Sequence, residues 1–358
     1  MVRDIDIKTA LDQNNIQWID VRSPGEFLTA TIPGAINVPL FNNEERARVG
    51  TVYKQKGREE AIQLGMELVS PKIPELVRQV RESSRDRTPL FFCWRGGMRS
   101  QAMATFQDLM QLPALRLTGG YRAYRQYITS HLEHGRLQSK LIVLHGLTGV
   151  GKTAVLHGLE KCGAPVLDLE GMAGHRGSAF GDLGEIQPHN QRTFDSLLFH
   201  KLERLKNEPY IFMEAESKRI GRVQMPPFLV RAKEEGIPVL LEASLSSRVQ
   251  QILDTYLEGP EDPESFRGHV IGAISRIERK LSPDKRKQLY RLAEERDYGP
   301  LVQILLQSYY DPLYRHSQNR YQEKIRYRVI SDDIKEAVAA CHNLWLRLKK
   351  EKPAPSSV

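Results

Sequence analysis

Short apolar runs recur along the first third of the chain, each closed by a polar or glycine-containing break. Ile16 to Val21, Ile36 to Val38, Pro89 to Cys93 and Leu115 to Leu117 have the length and residue types of buried strands. Between them, Pro24 to Thr29, Pro74 to Glu82, Gln101 to Leu112 and Tyr121 to Leu132 predict helices. Strands alternating with helices imply a parallel α/β sheet. The stretch 133–139 is polar and unpatterned, which marks a linker and places a first domain over residues 1–135. Lys140 to His145 then reads as the first strand of a second α/β domain, followed by a helix over Ala154 to Lys161 and a strand over Tyr210 to Met213. This domain, residues 136–350, has a helical C-terminal part that includes the amphipathic run Ile334 to Leu348. Residues 351–358, with two Pro and two Ser, read as a disordered tail.

Bulk numbers sharpen this picture modestly. A chain of 358 residues exceeds one ordinary core, so two domains are expected. With 40% hydrophobic and 27% charged residues it has the composition of a soluble globular protein. The opening Met1-Val2-Arg3-Asp4 has no apolar core of a secretory signal, and no run reaches the length of a membrane span. No membrane association is expected. Three widely spaced cysteines give neither a disulfide framework nor zinc spacing, which together predicts a cytoplasmic protein with no metal ligands assigned. The net charge of +8 points to a polyanionic partner. Much of it is local: Arg276 to Arg291 holds seven basic residues against two acidic ones, a net of +5. Lys54, Lys56 and Arg58 form a second, weaker patch.

Two glycine-rich junctions carry candidate chemistry. The first is Cys93-Trp94-Arg95-Gly96-Gly97-Met98-Arg99-Ser100, a thiol between a strand and a helix N-terminus. Backbone N–H groups and a helix N-terminus both favour an anion, and Arg95 and Arg99 add positive charge. These features lower a thiol pKa and suit a cysteine that carries a terminal chalcogen as a persulfide-type anion. Trp94 either stacks on a base or lines a domain interface. Cys162 and Cys341 read as small core residues rather than resolving thiols.

The second junction, Gly146-Leu147-Thr148-Gly149-Val150-Gly151-Lys152-Thr153, matches G-x-x-x-x-G-K-[ST]. Gly146, Gly149, Val150 and Gly151 would turn successive N–H groups into one concavity; Lys152 supplies a point charge for phosphate oxygens, and Thr153 can hold a Mg²⁺. The strand Tyr210 to Met213 ends in Glu214 where an ATPase usually shows Asp. Glu214 could hold a metal through water or activate a nucleophile, which leaves ATP hydrolysis open. The polar, glycine-rich stretch from Asp168 to Gly181, with His175, Arg176 and Ser178, has the character of a substrate loop.

Asp20-Val21-Arg22, Glu26-Phe27 and Ile32-Pro33-Gly34-Ala35-Ile36-Asn37-Val38-Pro39 resemble the opening of a rhodanese domain, and the Cys93 loop is similar to a rhodanese active-site loop. A rhodanese-like domain fused ahead of a P-loop NTPase-like domain, with Glu45 to Gln55, His175 to Gly181 and Glu216 to Gly221, resembles the tRNA 2-selenouridine synthase family across nearly the whole chain, to about residue 350. The resemblance implies a transferase of tRNA modification. It would convert wobble 2-thiouridine to 2-selenouridine through an S-geranyl intermediate, with geranyl diphosphate and selenophosphate as co-substrates and no tightly bound cofactor. Gly149, Gly151, Lys152 and Thr153 would then hold the diphosphate, and Cys93 would carry selenium. With that resemblance, Arg279, Lys280, Lys285, Arg286, Lys287 and Arg291 become candidate contacts to the tRNA anticodon region, and the tyrosines 290, 309, 310, 314, 321 and 327 candidate base-stacking groups. No obligate protein partner is implied. Two other readings stand beside it: an ATP-dependent kinase or ATPase with a rhodanese sulfurtransferase module acting in thiolation, and a binding protein whose P-loop is inert.

Overall fold

A computed structural model describes residues 2–175, 188–257, 262–313 and 323–351. The chain folds as two compact units: Met1–Glu133 with Asp195–His200, and His134–Phe194 with Lys201–Val358. The expected tail beyond Glu351, and Arg176, Ser178, Tyr314 and Tyr321, lie outside the described residues.

The first unit is built on five parallel strands: β1 (Val2–Ile5), β2 (Ile16–Asp20), β3 (Ile36–Asn37), β4 (Thr88–Phe92) and β5 (Ala114–Leu117). They are ordered β1-β5-β4-β2-β3. Leu90, Phe91 and Phe92 are wholly buried, as befits a central strand covered on both faces. At the C-terminal end of β2 lies a buried ion pair. Arg22 grips Asp20 through Nε (2.9 Å) and a terminal nitrogen (2.6 Å), donates to the Ala30 carbonyl, and lies 4.2 Å from the Tyr121 ring centre. Thr31 donates to the same carboxylate. The Asp20-Val21-Arg22 motif is thus a structural node in which each buried charge is partnered. Removing one partner of such a pair costs about 3–5 kcal/mol.

The second unit has its own five-stranded parallel sheet: β6 (Lys140–His145), β7 (Val166–Leu167), β8 (Tyr210–Glu214), β11 (Ile237–Glu242) and β12 (Tyr327–Ile330), with the hairpin β9 (Arg219–Ile220) and β10 (Val223–Gln224) beside it. The order β12-β11-β6-β8-β7 puts β6 and β8 side by side, so their C-terminal ends share one edge. A separate apolar cluster forms where helices Leu245–Leu257, Pro263–Ile277, Pro283–Glu295 and Tyr298–Leu305 pack on one another. No described helix is long and apolar enough to cross a membrane.

Two local expectations are corrected. The helix after the Cys93 loop spans Met98–Leu109, not Gln101 to Leu112: Gly97 caps it in an extended conformation, and the left-handed φ of 57° at Gln111 ends it early. Cys162 is exposed rather than core, because it ends the helix Lys152–Lys161 and Gly163 turns away with φ of 80°. Cys341 is buried as expected.

Candidate active sites

Cys93 follows the last residue of β4, and its Sγ accepts the N–H of Gly97 at 3.2 Å and lies 3.4 Å from Ser100 Oγ. Gly97 is the N-cap of helix Met98–Leu109 and Ser100 lies in its first turn, so the sulfur rests at the positive end of a helix. The loop is clamped from one side by a second turn. Tyr121 and Arg122 donate their N–H groups to the carbonyls of Cys93 and Trp94 at 2.8 and 2.9 Å. That approach demands glycine: a Cβ on Gly120 would stand 2.3 Å from the Cys93 carbonyl oxygen.

The neighbouring charges are arranged differently from expectation. Arg99 binds Glu26 at 2.7 Å, and Arg95 is exposed. Burial opposes ionisation of Glu26, but the Arg99 hydrogen bond and charge outweigh it and hold the carboxyl below the usual range. Helix N-terminus and backbone, more than guanidinium groups, therefore form the nest around the thiol. Trp94 packs its half-buried indole against Tyr121, ring centres 5.8 Å apart.

The second site is the turn between β6 and helix Lys152–Lys161. Gly149 and Gly151 have φ of 82° and 79°, which only glycine adopts freely. Lys152 Nζ curls over the loop to donate to the carbonyls of Gly146 (3.1 Å) and Leu147 (3.2 Å). Buried Arg248 braces it from outside: its Nε donates to the Thr148 carbonyl at 2.8 Å, and its terminal nitrogens hold Asp311 at 2.6 and 3.1 Å.

Three carboxylates converge on this loop. Thr153 Oγ1 donates within 3.2 Å of Glu170 and 3.3 Å of Glu214, and one oxygen each from Glu170, Glu214 and Glu216 lie within 4.8 Å of one another. Glu214 is 1% exposed and its Oε1 has no hydrogen-bond partner. Burial, reinforced by the charge of Glu170, pushes its carboxyl far above the usual range. The same two causes raise Glu216 to about 7. His145, at the end of β6, is lowered to about 4 by burial and by Lys233 and Lys152. An orphaned, buried carboxylate oxygen among like charges costs about 1–3 kcal/mol or more unless a cation meets it. The oxygen-only donor set fits a hard divalent ion such as Mg²⁺.

The loop opens into a cavity of about 650 Å³. Asp168, His175 and Glu214 line it together with Gly149, Gly151, Lys152 and Thr153, so the structure gathers the described substrate-loop residues around the phosphate loop. Asp168 accepts from Gly171 N–H and lies 3.1 Å from His157; the His175 ring packs over Gly221. Much of the remaining wall is apolar: Ile252, Tyr256, Phe266, Val270, Tyr298 and Leu305 come from three helices, with Gln251, Asp254 and Thr255 as polar groups among them. Sequence reasoning assigned roles to none of these, nor to Glu170, Glu216 or Arg248.

The basic run falls mainly on the turn Glu278–Lys280 and the helix Pro283–Glu295. Arg279, Lys280, Lys287 and Arg291 are exposed; Lys285 and Arg286 are half-buried. The tyrosine expectation is corrected in part: Tyr309 and Tyr310 are buried core residues, Tyr290 is bound to Glu278, and Tyr327 lies under Arg347.

Fold and sites together define a rhodanese-like unit joined to a P-loop unit. Residues 5–127 match the rhodanese-like domain model, and residues 139–344 match the model of the tRNA 2-selenouridine synthase AAA domain. Among curated proteins, the tRNA 2-selenouridine synthase of Hydrogenovibrio crunogenus is 35% identical over 347 residues, covering 90% of this chain and 94% of its own. That of Bdellovibrio bacteriovorus is 34% identical, covering 87% and 91%. Among solved structures, a rhodanese-related protein from Thermoplasma volcanium is 18% identical, covering 35% of this chain and 92% of that one, with a TM-score of 0.22. The chain belongs to the tRNA 2-selenouridine synthase family.

Proposed function

We propose that this chain is a cytoplasmic tRNA-modifying transferase that exchanges sulfur for selenium at wobble 2-thiouridine through an S-geranyl intermediate. The observation that carries the diphosphate half of this reading is the single cavity that joins a phosphate loop to an apolar, aromatic-lined wall. A diphosphate with a hydrocarbon tail has that same division of character.

In the first step the thiocarbonyl sulfur attacks C1 of geranyl diphosphate. The S–C bond forms, the C–O bond breaks, and diphosphate leaves with the charge that Lys152 and the loop N–H groups stabilise. The base loses its N3 proton to solvent, which leaves the alkylated ring neutral. Mg²⁺ held by Thr153, Glu170, Glu214 and Glu216 would neutralise further diphosphate charge. In the second step selenium derived from selenophosphate and presented at Cys93 as Cys93–S–Se⁻ attacks C2: C2–Se forms, C2–S breaks, and the geranyl thiolate leaves and takes up a proton from solvent. A cellular thiol reductant then cleaves the Se–S bond, freeing the selenouridine and the Cys93 thiol. Arg279, Lys280, Lys285, Arg286, Lys287 and Arg291 supply non-specific contacts to tRNA phosphates.

The test is a thermal-shift comparison of ATP, inorganic diphosphate and geranyl diphosphate, with and without Mg²⁺. Geranyl diphosphate is expected to stabilise the wild type most and Lys152→Ala little. Stabilisation by ATP alone, with ATP hydrolysis lost in Lys152→Ala, would instead favour an energy-coupled thiolation enzyme.

A further inference from the structure

The apolar wall has a depth as well as a character. Arg248, near the start of helix Leu245–Leu257, touches the phosphate loop at the Thr148 carbonyl and pairs with Asp311. Asp311 directly follows the π-helical turn Leu306–Tyr310 that continues helix Tyr298–Leu305. The two helices pack together, so they run antiparallel, with their 248 and 311 ends at the phosphate loop. Ile252 comes next along the wall, within 2.9 Å of where a Gly149 Cβ would stand. Tyr256 lies about 12 Å of helical rise beyond Arg248. Tyr298 lies farther still, thirteen residues before Asp311 and so about 18–20 Å of helical rise from the phosphate-loop end. There it meets Phe266 edge to face, ring centres 5.2 Å apart and planes at 88°. Val302 lies one turn nearer the phosphate loop than Tyr298.

We infer that Phe266 and Tyr298 are the floor that sets the length of the prenyl chain. This rests on the reading that the cavity takes a prenyl diphosphate. With C–C bonds of about 1.5 Å, the roughly eight main-chain carbons of two isoprene units reach about 9 Å and the roughly twelve of three units about 14 Å. With about 5 Å for the diphosphate and about 3–4 Å for the rings' own reach, a two-unit tail ends at the aromatic pair and a three-unit tail collides with it. A one-unit tail leaves the aromatic end uncovered and forfeits that contact. Phe266 is a core residue and the half-buried Tyr298 packs against the same cluster, so the two rings support each other and the floor is rigid rather than adaptable.

The experiment measures kcat/KM for S-alkylation of a 2-thiouridine-containing tRNA with dimethylallyl, geranyl and farnesyl diphosphates. Wild type is expected to favour geranyl. Phe266→Ala, which lowers the floor, should raise the farnesyl-to-geranyl ratio at least about tenfold. Val302→Phe, which raises it, should shift preference toward dimethylallyl by a similar factor. Should Phe266→Ala fail to fold, Val302→Phe decides alone. Ratios within about twofold of wild type in the folded variants would overturn the floor while leaving the prenyl reading intact. Failure of wild type to alkylate with any of the three would overturn both.

Discussion

The Cys93 loop and the phosphate loop answer the same structural problem and reach opposite electrostatic states. Each follows a central parallel strand, turns on glycines and delivers its chain into a helix N-terminus. Around Cys93 the neighbouring carboxylates are matched: Arg22 holds Asp20 and Arg99 holds Glu26. Around Thr153, three carboxylates crowd together and one buried oxygen has no partner. A settled nest suits a covalent carrier, whose geometry must persist through repeated loading and discharge. An unsettled one suits a site whose balance is completed by what it binds, since repulsion relieved on binding adds to affinity.

The comparison breaks most sharply under single substitutions in each loop. Cys93→Ser is expected to cut selenium incorporation by at least about a thousandfold while geranylation stays within about twofold, because a hydroxyl cannot replace the soft nucleophile. Nucleoside mass analysis of tRNA reads both products. Surviving selenation would remove Cys93 as carrier. Lys152→Ala should do the reverse, lowering geranylation by about a hundredfold or more, on the scale of losing one preorganised transition-state contact. Unchanged geranylation would detach the P-loop from the chemistry.

Stability should divide the two regions as well. Asp20→Ala leaves Arg22 buried and unpaired and should destabilise the first unit by about 3–5 kcal/mol in denaturant unfolding. Glu216→Gln should act in the other direction. Its carboxyl is raised to about 7 in the fold, so the native state holds the proton more tightly than the unfolded chain. Its stabilising contribution is full below about pH 4.5 and is lost as pH climbs through 7. Melting temperature without Mg²⁺ should therefore fall over that window in wild type, and fall less in Glu216→Gln. Added Mg²⁺ should restore the wild type at the alkaline end. An identical pH profile in both proteins would mean that the carboxylates do not repel as the geometry implies.

The two loops were legible in the chain because each is written in fewer than a dozen consecutive residues, with strand and helix patterns on both sides. What surrounds them was not. Glu26 reaches Arg99 across 73 positions, so no local reading pairs them. Glu170 follows β7 and Glu214 ends β8; only the adjacency of those strands in the sheet brings them together. The apolar wall was hidden for another reason. Its residues lie on amphipathic helices whose apolar faces read as ordinary core, and most of them are core on one side and cavity lining on the other. Cys162 misled because an apolar thiol beside a helix end does not show which way the following glycine turns.

The basic helix sharpens the comparison at its weakest point, since the proposed reading has one tRNA serve both loops and so asks for a handle apart from either. Lys287 and Arg291 are both exposed and four residues apart on helix Pro283–Glu295, hence on one face. Arg291 lies 3.7 Å from Glu295 across an exposed i,i+4 pair, which is weak enough for a phosphate to displace. Lys287→Ala and Arg291→Ala should each weaken tRNA binding several-fold and lower the slope of log affinity against log salt by about one. Both the geranylation and the selenation step should suffer equally in KM, with kcat unchanged. If one step suffered alone, this helix would belong to that reaction's site and would not serve as a common handle for the tRNA.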